Sequence, residues 1–79
     1  MIKNLSIIFP IYNEENRLIN TFADIEKFNK KKIFKKIEYI FVDDGSLDKS
    51  SKKIQDFIKF SKSKKITYQI INLKKNYGK

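Results

Sequence analysis

Apolar and polar positions fall in blocks along this chain, and the spacing inside the blocks keeps switching. Residues 5–10, Leu-Ser-Ile-Ile-Phe-Pro, form a short apolar run closed by a proline. Such a run suits a strand buried on both faces, with proline stopping further pairing at its end. From about Glu15 the spacing widens. Leu18, Phe22, Ile25 and Phe28 step by three or four, which puts one apolar stripe on a helix reaching about Asn29. Lys30, Lys31 and Lys32 mark its end, where cations complement the helix dipole. Residues 37–42, Ile-Glu-Tyr-Ile-Phe-Val, predict a second strand rich in β-branched and aromatic residues. Ser46 then predicts a helix N-cap with Asp48 in the first turn, and Ile54, Phe57, Ile58 and Ser61 form the inward stripe. Residues 66–73 predict a third strand, and 74–79 a closing loop.

The order β-α-β-α-β implies a parallel sheet, because parallel neighbours need crossover connections. Right-handed crossovers give strand order 3-2-1, one mononucleotide-binding half of a doubly wound, Rossmann-like α/β fold. Strand 1 would be central in a complete sheet, yet its outer edge has no partner within these strands. The chain therefore reads as the first half of a larger domain, with a missing C-terminal half or a partner chain needed to cover that edge.

Composition narrows the chemistry. Seventy-nine residues make at most one small domain, which buries only about 60–65% of the surface its unfolded chain exposes. With no cysteine there is neither a disulfide framework nor a thiolate metal site. With no histidine, the usual zinc ligand and the usual general base near neutral pH are both missing. The apolar runs are far shorter than the roughly 20 residues that cross a bilayer, and the N-terminus lacks a cleavage site of small residues. The expected compartment is the cytoplasm. The net charge of +9 rests on lysines scattered along the chain and a single arginine, Arg17. Arginine is the better residue for bidentate phosphate or guanine contacts. The charge reads first as solvated helix faces and loops, and a nucleic-acid partner is disfavoured because no nucleic-acid-binding motif accompanies it.

In open α/β sheets, ligands sit beyond the carboxyl ends of the strands. Three such ends converge here by topology: Pro10 to Glu15, Asp43 to Ser46, and Lys74 to Lys79. The first offers Tyr12, Asn13, Glu14 and Glu15, the second Asp43 and Asp44, the third Asn76, Gly78 and Lys79. That set suits a nucleotide: a carboxylate accepts from a base N–H or from ribose hydroxyls, a ring stacks on the base, and a lysine meets phosphate. The glycine-rich phosphate loops of dinucleotide-binding and Walker-type sites cannot be built from two glycines. Taken singly, each residue has a plain structural reading. Asp43 and Asp44 can be a turn and cap device, Glu14 and Glu15 dipole partners, Asn13 a cap, and Tyr12 a cover for the strand end. Their occurrence together, each at a strand end, points to function.

The motifs Pro10-Ile-Tyr-Asn-Glu-Glu, Val42-Asp-Asp-Gly-Ser-x-Asp48 and Asn76-Tyr-Gly-Lys79 resemble the N-terminal part of family 2 glycosyltransferases of the GT-A fold. Arg17-Leu18 and the closing Asn-x-Gly-Lys are similar to the dolichyl- and polyprenyl-phosphate sugar transferase branch. The resemblance implies that residues 1–79 are the nucleotide-binding portion of such a domain. Pro10, Tyr12 and Glu14 would line the nucleotide pocket, Asp44 would hold the base with Asp43 beside it, and Asn76, Gly78 and Lys79 would border the pocket. It implies a nucleoside diphosphate sugar as donor, UDP-glucose above others, and a polyprenyl phosphate or other acceptor, at the cytoplasmic face of a membrane where the acceptor is a lipid. It also implies Mg²⁺ or Mn²⁺ in the complete enzyme, to neutralise the diphosphate leaving group. The family's Asp-x-Asp metal motif and its acceptor half would fall after residue 79, so no catalytic or metal residue is expected in this chain, and the chain alone is expected to be inactive. The alternative is a stand-alone nucleotide-binding or interaction module without catalysis.

Overall fold

A computed structural model describes residues 2–61 and 63–73. Five elements follow in the order β1 (Ile2–Ile11), α1 (Leu18–Lys30), β2 (Phe34–Asp43), α2 (Ser50–Lys59) and β3 (Ile66–Asn72). The strands form one sheet with β2 in the centre, and both pairings are parallel. This is the expected α/β half-sheet; 3-2-1 is the same order seen from the other edge.

Register decides which side chains share a face. Ile7, Phe9 and Ile11 pair with Tyr39, Phe41 and Asp43, while Tyr39 and Phe41 pair with Tyr68 and Ile70 on β3. Successive side chains alternate across a strand, so these form one face, and Ile8, Pro10, Ile40, Val42 and Ile71 fall on the other.

Both helices pack on the first face. Phe22 of α1 meets Phe41 edge-on at 6.4 Å and stacks on Phe57 of α2 at 4.1 Å; Phe57 in turn meets Tyr68 edge-on at 5.4 Å. The predicted stripes are the ones that turn inward: Leu18, Ile25 and Ile54 are buried beside Tyr39 and Phe41, with Phe22, Phe28, Phe57 and Ile58 packed around them. Tyr39 keeps its hydroxyl satisfied by donating to Asn29 Oδ1. Burial, helped by Tyr68, pushes its pKa up to about 12.

Three expectations change. The β1 run is covered on one face only: Ile8 remains 63% exposed, because both crossovers place their helices on the same side. The α1 helix starts at Leu18, not near Glu15, because Glu14 O accepts the N–H groups of Arg17 and Leu18 in a preceding turn, at 2.8 and 3.1 Å. Likewise α2 starts at Ser50, not after Ser46, and it ends at Lys59, so Ser61 lies beyond it. Among the described residues, no helix is long and apolar enough to cross a membrane.

Candidate functional site

The segments leaving β1 and β2 lie side by side at the carboxyl edge of the sheet and bind each other. The Asn13 N–H donates to Ser46 Oγ at 2.9 Å, and Asn13 Oδ1 accepts the Leu47 N–H at 2.7 Å. The Glu14 N–H donates to Ser50 Oγ at 2.8 Å, and the Glu15 N–H to Asp48 Oδ2 at 3.1 Å. Glu15 Oε1 accepts the Lys49 N–H at 3.2 Å, and its other oxygen lies 3.9 Å from Lys53 Nζ. Each loop thus spends its polar side chains on the other's backbone, which leaves few orphan donors in a region without ladder bonds. The backbone shape follows from sequence. Asn13 adopts φ 50° and Gly45 φ 79°; asparagine tolerates the left-handed region, and glycine enters it without the Cβ clash.

Ser50 is the buried pin of this clasp, fully inaccessible at the start of α2. Its hydroxyl donates to Asp48 Oδ1 at 2.6 Å, and its N–H reaches the same oxygen at 2.9 Å. The Ser50 hydroxyl, more than any other partner, holds the Asp48 carboxyl below its ordinary value. The N-cap position of α2 is Lys49, without a side-chain cap, and the side chain that accepts the Ser50 N–H is that of Asp48, not Ser46. Asn13 is not a helix cap either, and Glu14 and Glu15 lie outside the first turn of α1. The expected caps Ser46 and Asn13 bond across the two loops instead, while the helix starts are set by short-range bonds of Glu14 and Asp48.

The two aspartates at the end of β2 divide the work. Asp43 is 3% exposed, and its Oδ1 accepts the Ser46 N–H at 2.8 Å, closing the turn around Gly45. Asp44 is exposed, and its own N–H donates to Ile11 O at 2.9 Å. That bond sets its backbone against the residue preceding Tyr12. Among the described residues its carboxylate has no hydrogen-bond or ion-pair partner. Tyr12 is 53% exposed, Pro10 lies on the helix-free face, and Glu14 is half-buried with a carboxylate oxygen 3.7 Å from Arg17. The fold thus brings Pro10, Tyr12, Glu14, Asp43 and Asp44 to one edge. Lys79, with Asn76 and Gly78, lies outside the described residues. Sequence reasoning missed Ser50, Asp48 and Glu15 as the residues that lock the edge. The signal was present in their type and place, small hydroxyl and carboxyl groups in both strand-end loops, once topology makes those loops neighbours.

A divalent cation at this edge would need several carboxylate oxygens converging on one point. Among the described residues no cluster of three carboxylates could hold a metal ion, and Asp43 already spends an oxygen on Ser46. These residues do not fit a divalent cation.

Comparison with known proteins bears on what such an edge serves. The profile of glycosyl transferase family 2 matches residues 6–79. A dolichyl-phosphate beta-glucosyltransferase of Dictyostelium discoideum is 38% identical over 95% of this chain and 24% of its own length. The human dolichyl-phosphate beta-glucosyltransferase is 38% identical over 98% of this chain and 24% of its own. An uncharacterised glycosyltransferase of Synechocystis is 41% identical over 95% of this chain and 22% of its own. The chain therefore spans about a quarter of the length of the curated relatives it matches. No solved structure gives a significant match. The chain belongs to glycosyl transferase family 2.

Proposed function

From that membership we propose that the carboxyl edge of the sheet is the nucleotide side of a donor site for a nucleoside diphosphate sugar. UDP-glucose is the proposed donor. The carrying observation is the contrast between Asp43 and Asp44. One carboxylate is buried in the turn it builds, while its neighbour is held at the rim with its oxygens unpartnered among the described residues. A free carboxylate at a rigid strand end accepts two N–H or hydroxyl donors in a fixed direction, as recognition of a base or ribose requires. Tyr12, exposed next to it, supplies a ring for stacking.

In the complete enzyme the transferred hexosyl group would go to a lipid phosphate or another hydroxyl acceptor. Dolichyl phosphate, named in the relatives, is the proposed example. A Mg²⁺ or Mn²⁺ ion, where used, would be held by carboxylates other than these. Spanning about a quarter of its relatives' length, the chain is proposed to bind donor without completing transfer.

Titration of UDP into the chain, followed by amide chemical shifts, tests the reading. Shifts are expected at residues 11–14 and 43–46, and Asp44→Ala should weaken binding at least about tenfold, the cost of losing a charge-assisted hydrogen bond. Equal affinity of the wild type and Asp44→Ala would sink the assignment. Turnover of UDP-glucose by the chain with Mn²⁺ would overturn the proposed inactivity.

A further inference from the structure

The lysines look scattered in sequence, but the fold gathers eight of them at one edge. The two connections that return from helix to strand, α1 to β2 and α2 to β3, both lie at the amino edge of the sheet, opposite the acidic loops. The first carries Lys30, Lys31, Lys32, Lys35 and Lys36; the second carries Lys59, Lys64 and Lys65. No acidic residue occurs in 27–37 or in 57–69. The strands bring the two connections together, since the Ile37 N–H donates to Lys65 O at 3.0 Å. Lys36, Lys64 and Lys65 share one hollow with Asn4 of β1. The hollow's single carboxylate, Glu38, accepts the Ser6 hydroxyl at 2.9 Å. The three ion pairs among the described residues, Arg17–Glu14, Lys52–Asp56 and Lys53–Glu15, use none of these lysines. Five of the nine acidic residues, Glu14, Glu15, Asp43, Asp44 and Asp48, sit at the far edge. Among the described residues, these lysines of the amino edge face few carboxylates, whereas Glu14 and Glu15 at the other edge are paired with Arg17 and Lys53.

Two large apolar side chains flank this basic edge: Ile33, 43% exposed between Lys32 and Lys35, and Phe60, 75% exposed after Lys59, where it also borders hollows lined by Asp56 and Glu26. We propose that the amino edge of the sheet is a docking surface for anionic lipid bilayers, with the lysines against the headgroups and Ile33 and Phe60 inserted at the acyl boundary. Clustered lysines attract anionic lipid within a Debye length of the surface, and apolar side chains amid them bury area in the interface. The aliphatic Ile33 decides between polyanions: it gains from hydrocarbon and offers nothing to a base or a phosphate, whereas a single-strand binder uses stacking rings along a groove. Near-absence of arginine agrees, since a headgroup layer needs point charge more than forked, bidentate geometry. The surface is independent of the donor site at the other edge.

Flotation of the 79-residue chain with vesicles tests it. Binding is expected to equimolar phosphatidylserine and phosphatidylcholine, with none to phosphatidylcholine alone. The triple change Lys35→Glu, Lys36→Glu, Lys64→Glu should weaken binding about tenfold or more. The triple Lys49→Glu, Lys52→Glu, Lys53→Glu, of equal net charge but away from this edge, should weaken it about threefold at most. Ile33→Ser with Phe60→Ser leaves charge and core untouched and should cost about fivefold; this pair decides the matter even if a charge-reversed triple fails to fold. Equal losses from the two triples, no loss from the apolar pair, or tighter binding to single-stranded RNA than to vesicles at equal phosphate would each overturn the proposal.

Discussion

The two faces of the sheet are nearly equal in sequence and unequal in structure. One face carries Phe9, Tyr39, Phe41, Tyr68 and Ile70 and is roofed by both helices. The other carries Ile8, Ile40, Val42 and Ile71, and among the described residues no helix lies over it. Apolar side chains alone therefore do not make a core; the crossover connections choose the face that becomes one. Rings stacked at 4.1–6.2 Å fill the roofed face, while Ile8 stands 63% exposed on its reverse.

Substitutions on the two faces should break or sharpen this contrast. Phe41→Ala empties the centre of the roofed face, where the ring is fully buried. It should cost about 3–5 kcal/mol, a large share of the stability that a domain of this length has, on the order of 4–12 kcal/mol. Urea melts should show the largest midpoint loss among these variants. Ser50→Ala is the next largest, expected at about 1–3 kcal/mol, because it leaves the Glu14 N–H without its partner. A loss in the same melts well under 0.5 kcal/mol would mean the clasp between the loops adds little to the roof.

Acid should act on the clasp before the core. Asp48 is lowered chiefly by the Ser50 hydroxyl, so its contribution is complete above the ordinary carboxylate value of 3.8. It is lost as pH falls through the lowered folded value. Amide shifts of Glu15 and Ser50 should move in that window ahead of global unfolding. Alkali acts on the roofed face in the opposite sense. Tyr39 titrates at about 12 in the fold against 10.0 when free, so stability is complete below 10 and declines as pH rises towards 12. The phenolate absorbance of Tyr39→Phe should lack that late step. The smallest effect is reserved for the bare face: Ile8→Thr should change stability by no more than about 0.5 kcal/mol. A larger loss would show that this face is covered in solution.

What the sequence revealed follows the range of the interactions. The stripe Leu18, Phe22, Ile25 and Phe28 was legible because helical periodicity and burial ask for the same positions. Strand identity was legible for the same reason, and the acidic strand ends could be placed on one edge by topology alone. The helix starts were not legible. Ser46 and Asn13 have the right chemistry for caps, but their partners stand 33 and 34 residues away, and no local pattern encodes that choice. Nor could the run at 5–10 disclose which of its faces would be roofed, since both are apolar. Asp43 and Asp44 looked alike in sequence; a single residue of strand alternation separates a buried turn former from an exposed carboxylate.

Pro10 has a geometric consequence for whatever pairs with the outer side of β1. The Ile11 carbonyl faces β2, where it accepts the Asp44 N–H at 2.9 Å, so the backbone of the preceding residue faces outward. At position 10 that outward site has no hydrogen to give. A strand added there finds a donor at Ile8 and then none, and its ladder stops short of the acidic loops. The sheet can grow sideways while its doorway keeps its width.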